Sequence, residues 1–165
     1  PEVKIGTFGP EIEAWRGSFT TLMLDGRLRG CIGTLEARMP LVADVVWNAY
    51  SSAFEDPRFQ KLTKPEFPGL EVSVSILGAA GEMRFRDQDD LLGQLRPGID
   101  GLILSAGPNR GVFLPQVWEQ AAGPADFLAK LKRKAGLAPD FWADDVSVYR
   151  FTTETFAAPV KSLSI

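Results

Sequence analysis

A β-forming run from Gly17 to Leu24, the dipeptide Asp25-Gly26 and a second such run from Arg27 to Thr34 admit one local solution, a two-residue hairpin. Both turn positions need positive φ, which Asp tolerates and Gly adopts freely, so the turn is pinned and the cross-strand register follows. Counted outward, Leu24 stands opposite Arg27, Leu22 opposite Arg29 and Thr20 opposite Cys31. Phe19, Thr21, Met23, Leu28, Gly30 and Ile32 then share the more apolar face, assigned to the core. Arg29 and Cys31 emerge together on the other.

The remaining pattern alternates strands and helices. Pro40 opens a helix from about Met39 to Ala53, with Leu41, Val42, Val45, Val46, Ala49, Tyr50 and Ala53 at the spacing of a face that covers the sheet. Phe54-Glu55-Asp56-Pro57-Arg58-Phe59 breaks it, because proline disfavours helical geometry at the preceding residue. Strict alternation over Leu70 to Ile76 marks a half-buried strand, with Glu71, Ser73 and Ser75 on its wet side, and Glu82 to Arg86 reads as a shorter one. A short helix fits Asp87 to Leu95. Residues 101–105 and 111–114 flank the turn Gly107-Pro108-Asn109-Arg110, and Pro124 to Ala135 forms a helix stopped by Gly136. In that helix Lys130 to Lys134 reads as a solvated face. A final strand spans Val146 to Phe156. The expected fold is α+β, a mixed, largely antiparallel sheet with flanking helices, in one domain over residues 1–165 with one main core.

Composition removes several classes of function. The chain has no histidine and a single cysteine, so it holds no Ser-His-Asp or Cys-His pair, no imidazole metal ligand, no internal disulfide and no multi-cysteine zinc or iron-sulfur site. No cofactor is named by what remains. A net charge of -3 supplies no broad positive field for phosphate backbones, so nucleic acid is not an expected partner. No apolar run approaches the roughly 20 residues of a membrane helix. The start Pro1-Glu2-Val3-Lys4 lacks the form of a signal peptide, and a lone thiol suits a reducing compartment, so the expected location is cytoplasmic.

The candidate chemistry lies in Arg29-Gly30-Cys31-Ile32-Gly33-Thr34. A guanidinium beside a thiol favours thiolate and can hold an anion. Gly30 and Gly33 let a ligand or another backbone approach the strand. The commoner role of a lone strand cysteine is that of a small apolar core residue, Arg29 serves equally in a structural ion pair, and the glycines equally relieve crowding against a helix; these alternatives stay open here. Glu55, Asp56 and Arg58 gather polar groups in a loop after the helix, where they either contact a ligand or brace the turn. Glu71 is a candidate base or ligand contact, with Ser73 beside it.

The motif Leu28-Arg29-Gly30-Cys31-Ile32-Gly33-Thr34 resembles the AMMECR family, named from the AMME chromosomal region and including the A protein of bacterial AmmeMemoRadiSam systems. The resemblance continues through residues 53–59, 70–75, 98–103, 111–118, 127–128, 134–137 and 149–151, and so spans about Gly17 to Phe156. It implies a two-lobed fold with the hairpin motif near a cleft between the lobes, a helix ahead of the first strand where Pro1 to Trp15 is only weakly periodic, and association with a MEMO-like protein and a radical-SAM protein. It supplies no reaction. On this reading the cleft binds a small anionic molecule or a modified side chain of a partner. Arg29, Gly30, Gly33, Thr34, Glu55, Asp56, Arg58 and Ser73 would make contacts, with Cys31 as nucleophile or contact and Glu71 in proton transfer. The alternative is a non-catalytic adaptor that docks those two partners.

Overall fold

The computed structural model describes residues 1, 3, 4 and 6–162. The Asp25-Gly26 turn forms as expected, with φ of 51° and 74°, and joins β1 (Ser18–Leu24) to β2 (Arg27–Gly33). These strands, β3 (Leu70–Leu77) and β8 (Thr153–Pro159) form a four-stranded sheet in the order β2-β1-β3-β8. A second sheet has the order β4-β7-β5-β6, from β4 (Gly81–Glu82), β5 (Gly101–Ala106), β6 (Asn109–Phe113) and β7 (Ser147–Phe151). Pairs β1 with β2, β1 with β3, β4 with β7, β5 with β6 and β5 with β7 are antiparallel. The α-helices among the described residues are α1 (Pro10–Glu13), α2 (Leu41–Phe54), α3 (Gln88–Gln94) and α4 (Pro124–Lys134). No described helix is long and apolar enough to cross a membrane.

The α+β class is therefore the observed one, with two departures. The expected final strand over Val146 to Phe156 is two strands, because the chain leaves the second sheet after Phe151, accepts the Gly78 N–H on the Thr152 carbonyl at 2.8 Å, and enters the first sheet as β8. The expected strand over Glu82 to Arg86 is confined to Gly81–Glu82. The chain divides into two compact units, residues 1–77 with 154–165 and residues 78–153. Their buried apolar residues form two clusters where one main core was expected.

In the second unit, Leu102, Leu104 and Val148 of the sheet pack with Phe127, Leu128 and Leu131 of α4 and Leu91 of α3, all at most 1% exposed. Trp118 stacks on Phe127 at 3.8 Å and gives its indole N–H to the Asp100 carbonyl at 2.7 Å. Lys132, expected on a solvated face, is buried: its Nζ donates to Gln88 Oε1 and lies 5.2 Å from the Trp142 ring. Burial lowers its pKa, since the charged form loses water.

In the first unit α2 packs on β1 and β2, but not by the face its apolar periodicity suggests. Leu41 and Ala53 are buried as expected, together with Asp44, Asn48 and Ser52, while Tyr50 is exposed. The strand residues that meet this polar stripe are Ser18, Thr20 and Leu22, so the core face of β1 is the opposite of the one assigned from its apolar content. Hydrogen-bond complementarity decides it. Ser18 Oγ donates to Asp44 Oδ2 at 2.6 Å, and Asn48 Nδ2 donates to the Ser18 carbonyl and to Asp44. The Ser52 hydroxyl takes the Ile32 N–H at 2.9 Å and donates to the Thr20 carbonyl at 2.8 Å, bridging two residues that are register partners in β1 and β2. This insertion requires Gly30, because a Cβ there would stand 2.0 Å from the Ser52 carbonyl oxygen.

Gly30→Ala should therefore cost about 3 kcal/mol in urea unfolding, since backbone must move. Gly33→Ala should cost less, because the atoms it meets, 2.2 Å away, belong to the Phe19 ring, which can rotate aside. Among the described residues, Thr20 Oγ1 is buried with no hydrogen-bond partner. Thr20→Val should stabilise the protein by about 1 kcal/mol by removing that unsatisfied hydroxyl, and an unchanged or lowered unfolding midpoint would refute this.

Candidate functional site

The register of the hairpin shifts between Leu22 and Met23. Met23 pairs with Leu28 but Leu22 pairs with Gly30, which leaves Arg29 as the extra residue of a β-bulge. Cys31 consequently pairs with Thr21, and the expected pairings of Thr20 with Cys31 and of Leu22 with Arg29 are corrected. The alternation that would hold Arg29 and Cys31 on one face is broken between them. The physical cause is the approach of α2 at Gly30, which a regular strand carrying side chains at both positions would obstruct.

Arg29 is committed elsewhere. Its Nε and Nη2 donate to Glu66 Oε1 and Oε2 at 2.7 and 3.2 Å, and Glu66 also accepts the N–H and hydroxyl of Thr63, which leads into the 3-10 turn Lys64–Gly69. The Arg29 hydrogen bonds, then those from Thr63, hold the Glu66 carboxyl down at about 2.

The arginine beside Cys31 is Arg58. Asp56, 4% exposed, accepts the Cys31 N–H on Oδ2 at 2.9 Å and the Arg58 guanidinium on both oxygens at 2.9 and 2.7 Å. Arg58 Nη2 also donates to the Cys31 carbonyl at 3.0 Å. The main chain of Cys31, on the outer edge of the sheet, is thus gripped at both its polar groups by one Asp-Pro-Arg segment. The Arg58 side chain remains 54% exposed and lies 5.5 Å from the Phe59 ring. Its hydrogen bonds, followed by those from the Cys31 and Arg58 N–H groups, hold the Asp56 carboxyl far below the usual carboxylate range.

The thiol of Cys31 points away from α2, with Sγ accepting from Thr21 Oγ1 at 3.3 Å. Register continues the row, since Thr21 pairs with Ser73 across β1 and β3, and directly opposed residues share a face. A thiol and two hydroxyls therefore stand side by side on three strands, each residue half-buried. On one side of the row the Phe19 ring lies over Gly33. On the other stand Met23 and its partner, the exposed Glu71.

Of the residues expected at a site, Cys31, Gly33, Ser73 and Glu71 share this half-buried face, and Arg58 stands at its edge; Ser75, expected on the wet side, is instead buried opposite Phe19. Gly30, Thr34 and Asp56 instead brace the main chain: Thr34 Oγ1 donates to Asn48 Oδ1 at 3.2 Å and its N–H to the Ser18 carbonyl at 2.8 Å. Glu55 accepts the Ser51 hydroxyl and does not join the face. Sequence reading missed Thr21, because it was placed on the wrong face, and missed Glu66, although Thr63-x-x-Glu66 has the spacing of a capping box. Among the described residues, no group of three or more Cys, Asp or Glu side chains is placed to hold a metal ion.

A lowered folded-state pKa means that Asp56 stabilises the fold fully above the unfolded carboxylate value of about 3.9, and that this contribution is lost as pH falls below it. Unfolding midpoints measured from pH 7 to pH 2 should fall below about pH 4, with a shallower fall in Asp56→Asn. At pH 7 that variant should lose about 2 kcal/mol, reduced from the cost of a fully buried pair because Arg58 is half exposed.

Comparison with known proteins agrees with the motif reading. The AMMECR1 family model matches residues 2–156. Protein MJ0810 of Methanocaldococcus jannaschii is 41% identical over 145 residues, covering 86% of this chain and 72% of that protein. A relative from Aquifex aeolicus is 37% identical over 144 residues, 85% of this chain and 73% of its own. The crystal structure of uncharacterized protein PH0010 from Pyrococcus horikoshii superposes with a TM-score of 0.86 at 34% identity, over 95% of this chain and 81% of that one. The chain belongs to the AMMECR1 family.

Proposed function

We propose that the face of the first sheet turned away from α2 binds a small anionic molecule, or an anionic or modified side chain of a partner protein, beside Cys31. Arg58 supplies the positive charge. The observation that carries this reading is the division of labour within residues 30–34. Gly30 admits Ser52, the Ile32 N–H bonds Ser52, Gly33 admits the Phe19 ring and Thr34 bonds Asn48 and Ser18. The main chain of Cys31 bonds Asp56 and Arg58. The Cys31 sulfur serves none of these contacts; among the described residues its polar neighbours are the Thr21 hydroxyl and the Arg58 guanidinium.

In this reading Asp56 orients the guanidinium so that its exposed side meets the ligand, Cys31 is the contact or nucleophile, and Thr21 and Ser73 offer hydroxyls along the bound group. Glu71, two strands away, receives or delivers a proton on the ligand and not on the thiol. The cytoplasm keeps the thiol reduced. The resemblance to AmmeMemoRadiSam systems implies that the chain acts with MEMO-like and radical-SAM proteins. If the family acts only as an adaptor for them, Cys31→Ala keeps the partners and the pathway intact, whereas the binding reading requires that it lose them.

A single cysteine makes the charge test direct. Alkylation of Cys31 by anionic iodoacetate, relative to neutral iodoacetamide, should fall about fivefold in Arg58→Gln, the effect of about 1 kcal/mol from one partly exposed charge. Arg58→Lys should restore part of the ratio. Equal ratios in all three proteins, or alkylation that requires denaturant, would remove the proposed site.

A further inference from the structure

Helix α2 turns its polar stripe to the sheet and its apolar side outward. Asp44 is its one charged residue and is buried, so the exposed side of 14 residues carries no charge. Trp47, Tyr50 and Phe54 are 44%, 41% and 38% exposed. They follow one another at the three-then-four spacing that lays a seam along a helix, with ring centroids 6.3 and 5.1 Å apart. The outward side of a surface helix ordinarily carries Lys, Glu and Arg, whereas the centre of a protein interface loses charge and gains Trp, Tyr and Phe.

We propose that this side of α2 is a self-association surface, on which a second copy of the chain lays its own α2 antiparallel across a twofold axis near Tyr50. Two arguments select a second copy as the occupant. An isologous contact places a patch on its own image, so net charge at its centre would repel itself, and the outward side of α2 brings none, the Glu55 carboxylate held by Ser51 lying past its C-terminal end. The steps from 47 to 50 and from 50 to 54 are nearly equal, so antiparallel pairing about Tyr50 sets each Trp47 against the other copy's Phe54. The area also suits a dimer. These three rings, with Trp15, 63% exposed and bridged by main chain to Pro40 at the start of α2, offer about 400 Å² per copy, the apolar centre of an interface burying about 800 Å² per partner.

Light scattering on the full chain from micromolar to submillimolar concentration tests this. The expected particle has twice the 18.0 kDa chain mass and dissociates on dilution. Tyr50→Glu and Phe54→Glu should each raise the dissociation midpoint roughly tenfold or more, and Tyr149→Glu, an exposed aromatic of the other unit, should leave it unchanged. Tyr50→Cys in a Cys31→Ser background should form a disulfide-linked dimer under mild oxidation, a readout that needs no charged variant to fold. A monomer at every concentration, a dimer indifferent to charge at 50 and 54, or failure of the Tyr50→Cys variant to cross-link overturns the proposal.

Discussion

The first unit depends on how closely α2 approaches β2. At Gly30 the helix backbone comes near enough that a single methyl would collide with a carbonyl oxygen, and at that distance a serine hydroxyl reaches between two paired strands. An apolar contact would tolerate small sliding of the helix. A hydroxyl that must donate to Thr20 and accept from Ile32 does not, since breaking either bond leaves a buried polar group unsatisfied at about 1–3 kcal/mol. The polar stripe Asp44, Asn48 and Ser52 therefore sets the position of the helix, and the small apolar cluster of Leu22, Ala53, Leu70 and Val160 adds burial around it.

The same approach explains the bulge. With Gly30 held against Ser52, the chain takes up one residue at Arg29, and the displaced guanidinium finds a carboxylate at Glu66. Past the bulge the strand resumes with Cys31 facing the opposite side. There its main-chain groups lie on the outer edge of the sheet, where unpaired N–H and C=O groups would recruit another strand. Asp56 and Arg58 occupy them. One loop thus caps an edge strand and carries a half-exposed guanidinium to within reach of the only thiol in the chain.

Elements whose signal is local were legible in the sequence: the Asp25-Gly26 turn, β3 from its alternation, the 107–110 hairpin, and α4 with its stop at Gly136. The facing of α2 and β1 was misread for one reason. Periodicity arguments assume that apolar residues face the core, and α2 with β1 bury a polar face instead. Reading Val42, Val46 and Tyr50 as inward followed from that assumption, as did placing Thr21 inside and Thr20 outside. The positions 44, 48 and 52 do recur at helical spacing, so the stripe is visible once hydrogen-bonding residues are counted as core candidates. The bulge left no comparable trace, because it results from contact with a helix that the hairpin sequence does not contain.

These errors change what the Arg29 to Thr34 segment means. Taken alone, a glycine-rich strand with an arginine and a cysteine suggests a ligand cradle throughout. The hydrogen bonds instead assign most of it to joining hairpin and helix, which would require the same residues whether or not anything binds. A site argument can then rest only on atoms that the fold does not use. On β2 that is the Cys31 sulfur, and in the 54–59 loop it is the exposed side of Arg58, whose other side is held by Asp56. A structural requirement would be met by the main chain of any residue at 31. It gives no reason for a thiol directed away from the helix, in line with two hydroxyls and beside a fixed positive charge, and that surplus is the physical ground for locating chemistry there.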